Sequence, residues 1–106
     1  MIWDIGANIG SASIYLADRF PQAVIHAFEP MPANFALVQK NVAGLKVTPH
    51  NLALGAQDGE VEITASDYEL NFGGFSLHYT GSVAAPTFKV PMATAATMIA
   101  KGVPPP

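Results

Sequence analysis

Asp4-Ile5-Gly6-Ala7-Asn8-Ile9-Gly10 is the stretch that decides the fold. It closes a short apolar run, Met1 to Ile5, and opens a segment in which Ile9, Ala12, Leu16 and Phe20 recur at spacings of three and four. The run predicts a buried strand, and the spacing predicts one buried face of a helix. Between them the chain must turn within a few residues. Glycine reaches positive φ at no steric cost, and Asn tolerates the left-handed region better than most residues. Pro21 ends the helix.

The same pattern then repeats. Val24 to Phe28 is a second apolar strand, ending on Glu29. Pro30 and Pro32 make the turn, and Pro32 suits the first turn of a helix. Phe35, Val38 and Val42 form that helix's buried stripe, with Gly44 as its C-terminal cap. Val47 to Asn51 reads as a third strand. Strand, helix, strand, helix, strand at this spacing predicts a parallel α/β sheet with right-handed crossovers. Pro49 lacks a ladder N–H, which puts the third strand at the edge and gives the order 3-2-1. The first strand then has an uncovered flank, and such an edge is expected to invite self-association.

After Asn51 the character changes. Gln57-Asp58-Gly59 is a turn signal before the alternating Val61-Glu62-Ile63. Gly73-Gly74, Gly81 and Pro86 divide the next part of the chain into short β-like pieces, among them Phe75 to Tyr79 and Phe88 to Val90. These predict antiparallel strands or hairpins. Ala93 to Ala100 predicts a short helix ended by Gly102. The expected organisation is one partial domain over residues 1–103 and a proline tail at 104–106.

Bulk composition narrows the function. The chain has 106 residues, enough for one domain, with 50% hydrophobic and only 12% charged residues. So little charge on a small domain points to apolar surface meant to meet more protein. A net charge of −3 with scattered basic residues leaves no footprint for nucleic acid or an anionic membrane. Without cysteine there is neither a disulfide framework nor a thiolate metal site. The first residues do not read as a signal peptide, and no apolar run approaches a membrane span. A cytoplasmic protein is the expectation.

Two acids flank the glycine turn, Asp4 before it and Glu29 nineteen residues after Gly10. A carboxylate at the end of the second strand suits the hydroxyls of an adenosine ribose, which nicotinamide dinucleotides and S-adenosylmethionine share. Charge separates the two cofactors. A dinucleotide brings an anionic pyrophosphate, and its G-x-G-x-x-G loop would need glycines where this chain has Asn8 and Ser11. Asp4 would also repel it. S-adenosylmethionine carries an ammonium and a sulfonium, which Asp4 attracts. The methyl donor is the favoured cofactor; an NAD(P)-binding oxidoreductase and a non-catalytic Rossmann-like interaction module are the alternatives. His26, within a strand, reads as a surface or satisfied histidine, and His50 and His78 are minor substrate-side candidates. Three histidines without close spacing make no metal site. Asn71 to Phe75 reads as a hairpin turn rather than a substrate loop.

Asp4 to Gly10, Phe28-Glu29-Pro30 with Pro32 and Asn34-Phe35, then Asn41, then Asn51-Leu52-Ala53-Leu54 resemble the successive motifs of FkbM-type methyltransferases. The resemblance spans roughly Ile2 to Ile63, with a weaker echo at Val90-Pro91. It implies a Rossmann-like class I methyltransferase sheet, truncated here, with parallel strands 3-2-1 followed by antiparallel hairpin segments. It further implies a loop wrapping the methionine part of the cofactor (Asp4, Gly6, Ala7, Asn8, Gly10), an acid on the ribose (Glu29, beside Pro30), and an adenine border at Asn51 and Leu52. The acceptors implied are hydroxyls of small molecules or sugars. Two departures stand out. Ala95-Ala96 replaces the family's Leu-Asp pair, and the chain ends before the acidic segment of the fourth strand. No catalytic residue is assigned, and the chain by itself is expected to be inactive.

Overall fold

A computed structural model describes residues 1–64 and 87–106. Strand β1 (Ile2–Ile5), helix α1 (Ser11–Arg19), β2 (Ile25–Phe28), α2 (Pro32–Asn41) and β3 (Val47–His50) follow one another as the hydrophobic periods predict. The three strands form a parallel sheet in the order β1-β2-β3, in register Trp3–His26–Thr48 and Ile5–Phe28–His50. Ile25 N–H donates to Lys46 O and Glu29 N–H to His50 O, so the even-numbered residues of β3 face β2. Parallel alternation turns Pro49 outward, where its missing N–H costs no ladder bond. Among the described residues, β3 is an edge as expected.

Alternation along the strands splits the sheet into two faces. On one, Ile25, Ala27 and Val47 pack with Ala7, Val38 and Val42, and with Ile2, Leu16 and Ala17 at the margin. This is the face beneath α1 and α2. On the other, Phe28 packs with Ala93, Met98 and Val103, with Trp3, Leu52 and Leu54 beside them. Trp3 lies tilted against Phe28 at 5.1 Å, and its indole Nε1 donates to Pro104 O at 2.8 Å.

Two local expectations change. β1 is not a buried strand: it is partly exposed, and Ile5 keeps 62% of its surface in solvent, because β1 has a neighbour on one side only among the described residues. The inward face of α1 is not Ile9, Ala12, Leu16 and Phe20. Ser13 is fully buried and Leu16 and Ala17 partly so, while Ile9, Ala12 and Phe20 look outward. At the start of the helix a Cβ on Gly10 would stand 3.4 Å from Val42 Cγ1 and 3.6 Å from Val38 Cα, so this end of α1 lies close to α2.

The second sheet also differs from expectation. It has the order β4-β6-β5, with β4 (Ala53–Leu54), β5 (Gly59–Thr64) and β6 (Thr87–Ala93). β5 and β6 pair antiparallel as the alternation predicts, but β4 and β6 run parallel. A two-residue strand has too little periodicity to be read beforehand; its partner lies some forty residues on. Helix α3 (Ala95–Ala100) comes next, and Gly102 turns at φ 105°. Asp58, in the expected turn, anchors this helix by accepting from Thr94 N–H (3.0 Å) and Thr97 Oγ1 (2.8 Å). The segments Asn71 to Phe75 and Phe75 to Tyr79, and His78, lie outside the described residues.

Candidate functional site

The site forms where β1 and β2 end and their loops meet. Gly6, Asn8 and Gly10 all take left-handed backbone, at φ 73°, 62° and 96°. Three such residues within five coil the chain tightly before α1, and only glycine or a short amide adopts them at little strain. Phe28 O receives both Gly6 N–H (2.9 Å) and Ala7 N–H (3.0 Å), which ties the loop to the end of β2. Gly10 N–H closes the coil on Ala7 O at 2.9 Å.

Glu29 holds the other side. Its side chain is 1% exposed; Oε1 accepts from Asn8 N–H at 2.7 Å and Oε2 from Met31 N–H at 2.9 Å. Hydrogen bonds to a charged acceptor are short and strong, so this carboxylate fastens the glycine loop to the turn before α2. Sequence reading places Glu29 beside the loop but does not foresee that it bonds the loop's own backbone.

The remaining site residues fall in two groups. Asp4 is half-buried, and its Oδ2 accepts from the buried Ser13 Oγ at 2.7 Å. No cationic side chain lies within ion-pair distance of Asp4 among the described residues. Asn51 Nδ2 donates to Glu29 O (3.0 Å) and Pro30 O (3.1 Å), and so pins the end of β2 to the end of β3. Leu52 borders the second hydrophobic face. Asn41 Nδ2 reaches back from α2 to Ile9 O at 2.7 Å. Thus Gly6, Ala7, Asn8, Gly10, Glu29, Pro30 and Asn51 are linked at one end of the sheet by hydrogen bonds, Gly6 and Ala7 through Phe28 O, while Asp4 is held by Ser13. Ser13 escapes sequence reading. The available signal is a hydroxyl one turn into a helix that comes after a strand bearing an acid.

The histidines form a feature of their own. His26 Nδ1 and His50 Nε2 are 2.9 Å apart across β2 and β3, and His50 stacks on Phe28 at 4.7 Å and 13°. One ring must donate and the other accept, which requires at least one neutral imidazole. Burial lowers the pKa of both, and for His50 the charge of His26 adds to the effect. His26 is therefore satisfied, as expected, and its partner is His50. Among the described residues no group of three or more His, Cys, Asp or Glu could hold a metal ion. No helix among them is long and apolar enough to cross a membrane.

The family model of the methyltransferase FkbM domain matches residues 4–102. Individual known proteins are similar over shorter stretches. Methyltransferase 1 of Beauveria bassiana is 38% identical over 68 residues, covering 59% of this chain and 26% of its own length. Methyltransferase sdnD of Sordaria araneosa is 48% identical over 42 residues, 40% of this chain and 16% of its own. The 31-O-demethyl-FK506 methyltransferase FkbM of Streptomyces tacrolimicus is 36% identical over 47 residues, 44% of this chain and 18% of its own. The matched part thus spans about a quarter or less of each of these relatives. No solved structure matches the chain significantly.

Proposed function

The chain belongs to the FkbM methyltransferase domain family, and from that premise we propose that it binds S-adenosylmethionine where β1 and β2 end and serves methyl transfer to a hydroxyl oxygen of a small molecule or sugar. One observation carries the cofactor reading: two carboxylates, Asp4 and Glu29, flank a loop of three left-handed residues, and Asp4 has no cationic partner among the described residues. Such a site favours a ligand with positive charge and disfavours a pyrophosphate. The oxygen acceptor is supported by the Streptomyces relative, whose name describes a methyltransferase for an O-demethylated compound.

In this reading Asp4, Gly6, Ala7, Asn8 and Gly10 surround the methionine part, with the Asp4 carboxylate toward the ammonium. Glu29 and Pro30 lie at the ribose, and Asn51 and Leu52 border the adenine. Bound there, S-adenosylmethionine supplies a methyl group activated by its sulfonium. Transfer of that group is an in-line displacement, so the chain's contribution is to hold the donor still and oriented. The hydrogen bonds of Glu29 and Asn51 serve this by making the loop and both strand ends one unit. No residue of this chain is assigned to take the acceptor's proton.

Calorimetry with S-adenosylhomocysteine, and separately with NAD, tests the reading. The expected result is binding of the first and none of the second. Glu29→Ala should weaken it by about 1.5–3 kcal/mol, or roughly 10- to 100-fold, because the N–H groups of Asn8 and Met31 lose their charged acceptor and the glycine loop loses its anchor beside the ribose. Binding of NAD alone, or of neither, would overturn the assignment.

A further inference from the structure

We propose that Ser13 is the positioning residue for Asp4, and that the pair sets the site's preference for a ligand carrying a positive charge beside the glycine loop; this rests on the S-adenosylmethionine reading above. Ser13 is fully buried between α1 and the sheet. A serine hydroxyl in a helix can bond back to the carbonyl four residues earlier. Ser13 lies in the first turn of α1, where the residue four back, Ile9, precedes the N-cap Gly10, and Ser13 Oγ donates instead to Asp4 Oδ2 at 2.7 Å.

The bond has a consequence for Asp4. One carboxylate oxygen, Oδ2, is held by the hydroxyl of a fully buried residue. The other, Oδ1, has no hydrogen-bond partner among the described residues. A half-buried carboxylate with one oxygen fixed, the other open and no cation nearby is an oriented acceptor for an ammonium group. Without the Ser13 hydroxyl, Asp4 keeps its charge and loses its orientation. Ser13 therefore acts on the charged part of a ligand and leaves the adenosine part untouched.

The test compares S-adenosylhomocysteine, which carries the ammonium, with methylthioadenosine, which lacks it. Calorimetry is run on wild type, Ser13→Ala, Ser13→Thr, Asp4→Asn and the Asp4→Asn/Ser13→Ala double variant. Ser13→Ala should lower the preference for S-adenosylhomocysteine by about 3- to 10-fold, less than the full worth of a bond to a charged group because Ser13 acts on the ligand through Asp4. Ser13→Thr, which keeps the hydroxyl, should restore it. In the Asp4→Asn background Ser13→Ala should change the preference no further. If Ser13→Ala does not stay folded at the assay temperature, Ser13→Cys replaces it, being close in size and a weak donor. Equal losses for both ligands, or an undiminished Ser13→Ala effect in the Asp4→Asn background, would overturn the proposal while leaving the cofactor reading standing. Wild-type protein that binds neither ligand would remove both.

Discussion

The two faces of the parallel sheet are built in opposite ways. The face under α1 and α2 is assembled from consecutive strand–helix–strand units. Ile25, Ala27 and Val47 meet Val38 and Val42 on the helix that joins their strands. The opposite face is covered by residues far along the chain: Phe28 meets Ala93, Met98 and Val103, and Trp3 bonds to Pro104 across 101 positions. A short crossover closes its contacts at small entropic cost, whereas the second face must close one long loop. The first face is therefore expected to be the durable one, and the second to open first.

Core truncations probe the contrast most strongly. Phe28→Ala, on the distant-contact face, should cost about 3–5 kcal/mol, and Ile25→Ala, on the helix face, about 2–5 kcal/mol. Both side chains are at most 1% exposed, so the cavity term applies to each. Denaturant melts give the totals, and hydrogen exchange separates the faces. Phe28→Ala should release α3 and the C-terminal segment while α1 and α2 stay protected. Loss of protection everywhere at once in Phe28→Ala would show that the faces form one cooperative unit.

Acidification should act on the second face by a different route. His26 and His50 both titrate below the ordinary value of 6.5, chiefly because burial disfavours their charged forms. Below that value the unfolded chain binds more protons than the native one, so stability rises with pH there. It is complete above about pH 6.5 and declines as pH falls through that value. Thermal melts from pH 7.5 to 5 should show the decline, and His50→Gln should reduce its slope. An unchanged slope would remove the pair from the account.

The smallest effect belongs to the Trp3 bond. Trp3→Phe keeps the ring against Phe28 and removes only the indole N–H. The expected cost is about 0.5–1.5 kcal/mol. Hydrogen exchange should rise in the amides around Val103 and stay constant in β2. Unchanged exchange at Val103 would mean that apolar packing alone holds the C-terminal segment.

Legibility in the sequence divides along the same line. Helix α2, its Pro32 start and the core positions Val38 and Val42 are written in local periods and propensities, while Phe35, expected in the same stripe, is only half-buried. So are the glycine turn, with Asn8 at φ 62°, and the edge position of β3, which rests on Pro49 alone. The inward face of α1 is misread from apolar spacing because its core position is a serine, and such spacing cannot register a buried hydroxyl. The parallel pairing of β4 is illegible because two residues carry no period.

By itself, the sequence determined the three parallel strands in order, the left-handed loop between β1 and α1, and the placing of two acids around it. Those features come from backbone sterics and from hydrophobic periods that act over a few residues. Only the tertiary structure decided which groups share each carboxylate. Glu29 takes the N–H groups of Asn8 and Met31, Asp4 takes the hydroxyl of Ser13, and His26 finds His50 on the neighbouring strand β3. A hydrogen bond needs its partners within about 3 Å and aligned. That geometry is fixed by strand register and helix rotation, which no stretch of sequence specifies until the whole sheet has closed.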